Sequence, residues 1–213
     1  MKKTVLIFII FPQLIFSELV LEITKGSDDP YSIAIINFEG PKNINNKISS
    51  IVSNDLNRTG EFRILRDNQL LSLPKNQEEI NYDDFKLLNV DFIIMGATSQ
   101  EDISNISVSY EIYSVNKKSK IRTSTIYGIP NRLRQLSHYI SDGIYEEVTG
   151  IKGVASTRLL YVTEQIINSR SIFKLVVADA DGENEQVLLQ SREPIISPSW
   201  SPNSKEVAYV SFE

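Results

Sequence analysis

The sequence predicts an α/β unit with a mixed sheet covered by helices, followed by the all-β strands of an incomplete propeller. Three observations predict it. Between about residues 30 and 150, β-branched apolar runs alternate with segments whose apolar residues recur at helical spacing. After Gly153 only short strand-like runs remain. Two of these, Leu160-Tyr161-Val162-Thr163-Glu164 and Ala208-Tyr209-Val210-Ser211-Phe212-Glu213, place their tyrosines 48 residues apart. Strands alternating with helices imply a layered α/β core, and a repeat of about 40–50 residues is the period of a propeller blade.

The N-terminus reads as an address. Lys2 and Lys3 precede an apolar run, Val5 to Phe11, that resumes at Leu14 to Phe16 after Pro12. A positive start, a short apolar core and the small Ser17 fit a secretory signal peptide over residues 1–17. The stretch is shorter than the roughly 20 apolar residues of a spanning helix. Cleavage near Ser17 leaves a mature chain of net charge −7, from 20 basic and 27 acidic residues. The expectation is an exported protein with no direct membrane insertion once the signal is removed. Glu18 to Gly26 follows, a short alternating stretch with the position of a loose terminus.

Tyr31 to Phe38 is almost continuously apolar and β-branched, which predicts a buried strand. Ile44, Ile48, Ile51, Val52, Asp55 and Leu56 recur at helical spacing, with Gly60 where a C-terminal cap belongs. Phe62 to Leu65 is the next strand, and Gln69 to Gln77 is loop-like. Asn81 caps a short helix running through Leu88, with Asp83 and Asp84 in its first turn. Val90 to Met95 reads as a buried strand ending at Gly96. Ile106 to Val115 and Ile121 to Ile129 flank Asn116-Lys117-Lys118-Ser119-Lys120 as an antiparallel hairpin. Pro130 and Asn131 open a helix with the stripe Leu133, Leu136, Ile140, Ile144 and Val148, and Gly150 closes it. Beyond Gly153 the expected strands are Arg158 to Thr163, Phe173 to Ala178, Glu185 to Leu189, Ile195 to Trp200 and Glu206 to Phe212.

Composition removes several chemistries. The chain has 213 residues, no cysteine, a single histidine and a formal net charge of −5. Disulfides, thiolate metal sites, a cysteine nucleophile and multi-histidine metal centres are therefore excluded. The acidic balance argues against a nucleic-acid partner, which needs a basic face.

The motifs that invite chemistry have plainer readings. His138, Ser141 and Asp142 lie on one predicted helix, where Asp142 can meet His138 four residues away. No G-x-S-x-G turn supplies an activated serine, so a local polar contact is expected there and no catalytic residue is assigned. Asp179 to Glu185 resembles a calcium loop at first. Its sixth and twelfth positions hold Asn184 and Gln190 where Gly and Glu belong. A tight turn at Asp181-Gly182 is the better reading. Gly150-Ile151-Lys152-Gly153 lacks the spacing of a phosphate-binding loop. No cofactor or metal is expected.

Ile196-Ser197-Pro198-Ser199-Trp200-Ser201-Pro202 brackets the single tryptophan with prolines and leads into the Tyr209 strand. At these residues the sequence resembles the TolB family, the periplasmic component of the Tol–Pal envelope system. The resemblance extends to His138, Ser141-Asp142, Ile144-Tyr145-Glu146, Thr149 to Gly153 and Thr157-Arg158, and to Ile23-Thr24-Lys25-Gly26 with Ile33 to Phe38, Ile51 to Leu56 and Gly60. Asn203-Ser204 departs from the Asp-Gly that usually follows the tryptophan motif.

The resemblance implies four segments: signal peptide 1–17, partner-binding segment 18–29, α/β domain 30–153, and about one blade of a truncated propeller over 154–213. It also implies a non-enzymatic adaptor serving outer-membrane integrity and envelope constriction in division. In that family the propeller face binds the lipoprotein Pal and the extreme N-terminal segment binds the inner-membrane protein TolA. The TolA segment corresponds here to Glu18, Leu19, Val20, Leu21, Glu22, Ile23, Thr24, Lys25 and Gly26. The Pal surface would lie largely beyond Glu213. Two other readings stay open from the residues themselves: the N-terminal part of an exported peptidase with an accessory propeller, and a periplasmic ligand-binding module.

Overall fold

The computed structural model describes residues 29–36, 38–100 and 105–212. The N-terminal elements are β1 (Tyr31–Ile35), α1 (Lys42–Arg58), β2 (Phe62–Leu65), α2 (Tyr82–Leu87), β3 (Phe92–Gln100), β4 (Ile106–Ser114), β5 (Ser119–Gly128) and α3 (Leu133–Thr149). They appear in the predicted order. The sheet runs β2-β1-β3-β4-β5, with β1 parallel to both neighbours and β3, β4 and β5 antiparallel.

Alternation along β1 explains why it is central. Ile33 and Ile35 join the core beneath α1 and α3, with Val52, Leu56, Ile140 and Ile144. Ala34 and Ile36 point the other way, into a second core with Phe85, Ile93 and Tyr113. Both faces of the strand are thus buried, as its continuous apolar run requires. Each buried Ile or Phe contributes about 1.5–3 kcal/mol relative to exposure.

Local chemistry sets the helix ends. Asn81 Oδ1 accepts from Asp83 N–H at 3.3 Å and starts α2. α1 ends at Thr59, with Gly60 following at φ +74°. α3 follows a 3-10 turn at Pro130–Arg132 and ends on Gly150, also at φ +74°, whose N–H reaches Glu146 O at 2.8 Å. The predicted stripe faces inward: Leu133, Leu136, Ile140 and Ile144 are buried and Val148 packs beside them.

One boundary differs. Gly96 does not end its strand, because β3 continues to Gln100 in unbroken register with β4. A Cβ on Gly96 would lie 2.5 Å from the Phe38 ring. The glycine marks a close approach within the strand rather than its end.

After α3 the strands are β6 (Arg158–Ile167), β7 (Arg170–Asp179), β8 (Gln186–Ser191), β9 (Ile195–Trp200) and β10 (Val207–Ser211). β6-β7-β8 form an antiparallel sheet and β9-β10 a second antiparallel pair. These are blade strands of a propeller, and among the described residues they do not close. β6 extends four residues past the predicted Thr163. Asn168 and Ser169, both at positive φ, make a two-residue hairpin turn that carries the ladder out to Ile167↔Arg170. Among the described residues no helix is long and apolar enough to cross a membrane.

Candidate functional site

The polar centre of the molecule lies where α1, α3 and the β7–β8 turn meet. Asp55 sits in the apolar stripe of α1, which turns it inward. His138 and Ser141 occupy the α3 face opposite, three residues apart. Asp55 Oδ2 lies 2.7 Å from His138 Nδ1 and accepts from Ser141 Oγ at 2.8 Å. Its other oxygen takes Arg58 Nη2 at 3.1 Å. All but Arg58 are buried; the side chains of Asp55 and His138 are 1% and 3% exposed.

This order corrects the sequence expectation. Asp142 does not meet His138; Asp55, 83 residues away in sequence, does. Asp142 turns instead to the connector after α3, where its two oxygens accept from Ala155 N–H at 2.6 Å and Ser156 N–H at 3.0 Å. Gly153 packs so tightly there that a Cβ would lie 2.5 Å from Asp142 Oδ1.

The arrangement is wrong for nucleophilic catalysis by Ser141. A serine triad needs the imidazole between hydroxyl and carboxylate. Here the carboxylate lies between, and Ser141 Oγ also bonds the Ser137 carbonyl at 3.0 Å. The group fastens α1 to α3.

On its other side His138 faces the blade. Its Nε2 lies 3.9 Å from Asp179 Oδ2 and 3.9 Å from Asp181 Oδ2, and has no hydrogen-bond partner. Arg134 pairs with Asp181 and approaches Asp179 at 3.4 Å. The predicted turn is present: Gly182 adopts φ +84° and its N–H reaches Asp179 O at 2.9 Å. The tryptophan motif also has a structural partner, since the Arg158 guanidinium lies 5.3 Å from the centre of the Trp200 ring.

A second polar group lies toward the α2 side of the sheet. Tyr113 donates to Glu111, and Lys120 Nζ donates to Glu111 at 2.8 Å. Burial alone would raise the Glu111 carboxyl, but the Lys120 and Tyr113 hydrogen bonds outweigh it and hold it below its ordinary value. Burial first, and then Glu111, push the Tyr113 phenol well above its ordinary value.

Glu18 to Gly26, the predicted partner-binding segment, lies outside the described residues. The Asp55 side of the centre was missed by sequence reasoning. Its signal was an acid inside an otherwise apolar helical stripe, which demands a buried partner.

Comparison with known proteins places this geometry. The TolB amino-terminal domain family matches residues 19–121, and the TolB beta propeller domain family matches residues 145–213. The chain belongs to the TolB family. The Tol-Pal system protein TolB of Alcanivorax borkumensis is 40% identical over 197 residues, covering 92% of this chain and 45% of the relative. That of Hahella chejuensis is 38% identical over 218 residues, covering 100% of this chain and 51% of the relative. The crystal structure of TolB from Acinetobacter baumannii superposes with a TM-score of 0.79 at 34% identity, covering 90% of this chain and 46% of that one. The chain therefore spans about half the length of the TolB relatives it matches. The TolB propeller match begins at Tyr145, still within α3, where the ring packs edge-on against Phe62 with centroids 5.6 Å apart.

Proposed function

We propose that this chain belongs to a non-enzymatic periplasmic adaptor of the Tol–Pal system that links the inner-membrane protein TolA to the outer-membrane lipoprotein Pal. In this reading it serves outer-membrane integrity and envelope constriction in division. Residues 1–17 are the export signal, 18–29 the partner segment, 30–153 the α/β domain and 154–213 the opening of the propeller. The observation that carries the reading is TolB-family similarity in both halves of the chain. Ser141 adds support, because its hydroxyl is held by Asp55 and the Ser137 carbonyl in a buried fastening between helices.

TolA binding rests on Glu18 to Gly26. An extended alternating segment can add as a strand to an exposed sheet edge, with main-chain hydrogen bonds supplying affinity. Leu19, Leu21 and Ile23 would fill pockets on one side while Val20, Glu22 and Thr24 face the other. Pal binding belongs to the propeller face, and no residue of this chain is assigned to it. Deleting residues 18–26 is expected to abolish binding to the cognate TolA C-terminal domain, measured by calorimetry, with the melting temperature of the remainder nearly unchanged. Equal affinity in the shortened protein would refute the assignment.

A further inference from the structure

The orphaned face of His138 carries an inference independent of the adaptor reading. One oxygen each from Asp55 and Asp181 and one ring nitrogen of His138 lie within 4.8 Å of one another. The His138 side chain is 3% exposed, and its Nε2 is unpaired. Asp55 Oδ2 lies 2.7 Å from Nδ1, and in the tautomer that donates from Nδ1 to this carboxylate the Nε2 lone pair is free, with Asp179 Oδ2 and Asp181 Oδ2 each 3.9 Å from it. Two carboxylates beside a buried, unpaired ring nitrogen call for a cation, a role that Arg134 now fills from the cleft side without reaching Nε2. A carboxylate behind a histidine whose far nitrogen looks at further carboxylates is the arrangement that orients a metal-ligating imidazole.

We propose that His138 Nε2 and Asp181 bind a divalent transition-metal ion, with zinc the best match, at the junction between the α/β domain and the first blade. Asp179 and water complete the coordination, and Asp55 is the positioning residue behind the ring. Imidazole with carboxylates suits zinc over the hard cations calcium and magnesium. Ligands at about 2.0–2.2 Å from a tetrahedral ion stand about 3.3–3.6 Å apart, so the turn need close by only about half an ångström. The present occupant of the Asp181 carboxylate is Arg134, and Asn184 Nδ2 holds Asp179 Oδ2 at 2.6 Å. Zinc would displace Arg134, which is 24% exposed and borders an open cleft. It would bridge α3 to the β7–β8 turn.

The test uses the chain without a histidine tag, so that His138 is its single histidine. Zinc is titrated by calorimetry while the imidazole nitrogens are followed by 15N NMR. The expected result is one ion per chain with a shift of the Nε2 resonance. His138→Gln and Asp181→Asn should each weaken binding at least about tenfold, and Asp55→Asn by about 10–100-fold. Arg134→Gln, which removes the competing cation, should tighten it. Asp181→Asn lies on a turn outside the helix packing, so it remains informative if His138→Gln fails to fold. Failure of both the parent and Arg134→Gln to bind would overturn the proposal. So would zinc affinity unchanged in Asp181→Asn, or an imidazole that only takes up a proton and ignores zinc.

Discussion

Asp55→Ala should be among the most damaging single changes in the α/β domain. The carboxylate receives His138, Ser141 and Arg58, but the three losses are unequal. Ser141 keeps its bond to the Ser137 carbonyl at 3.0 Å. The Arg58 side chain is 43% exposed and rehydrates, so its share is under about 1 kcal/mol. His138 has no substitute, because both ring nitrogens would then be buried without a partner. Losing the hydrogen bond to this carboxylate and leaving the buried ring unpaired costs about 2–4 kcal/mol. Asp55→Asn keeps the shape but presents a weaker, neutral acceptor, and should cost about 1.5–3 kcal/mol. Urea unfolding followed by far-UV circular dichroism in metal-free buffer measures both. Asp55→Ala and His138→Gln share one interaction, so the double variant should be less destabilised than the sum of the singles, by about 1–3 kcal/mol. A loss below about 1 kcal/mol for Asp55→Ala, or singles that add within about 0.5 kcal/mol, would refute the reasoning.

Gly143→Ala gains about 1 kcal/mol of helix propensity, yet its Cβ would lie 2.1 Å from the buried Tyr110 hydroxyl. Overpacking of this kind costs about 1–3 kcal/mol, so the melting temperature should fall, and Tyr110→Phe in the same background should recover part of the loss. Tyr113 has a raised folded-state pKa, so its contribution is fully present below the unfolded tyrosine value of about 10 and fades as pH rises above it. Chemical unfolding at pH 9 and pH 11 should show a stability loss that is smaller in Tyr113→Phe. Residues 18–153, expressed alone, should melt in a single cooperative transition, because the cores of the α/β domain are built from its own elements; a broad transition would count against a boundary near Gly153.

Elements were legible where one local cause dominated. The apolar run of β1, the Asn81 cap and the Gly150 stop each declare themselves within a few residues. Gly96 misled because its cause is remote: the ring that needs the space belongs to Phe38, and nothing near Gly96 reveals that. The β6–β7 hairpin was cut short because Asn168-Ser169 carries no glycine to announce its positive φ. At the polar centre, helix spacing brought Asp142 near His138, a correct statement about one helix. It could not weigh a second acid arriving from α1 across the core, nor the two amides of Ala155 and Ser156 that claim Asp142. Sheet order, with β1 between β2 and β3, is likewise a product of packing rather than of any single segment.

The bidentate grip of Asp142 on Ala155 and Ser156 also bears on how this chain can vary over evolution. Two oxygens on a rigid helix meet two consecutive amides only if the intervening backbone has one particular length. Gly150 reverses direction and Gly153 slides past Asp142 without room for a methyl. An insertion or deletion between Thr149 and Ser156 would bring different amides to the carboxylate and rotate the first blade strand with them. Related sequences should therefore keep this connector's residue count and its two glycines, Gly150 and Gly153, while its other positions vary, whereas the exposed Asn116–Lys118 hairpin tip should tolerate changes in length.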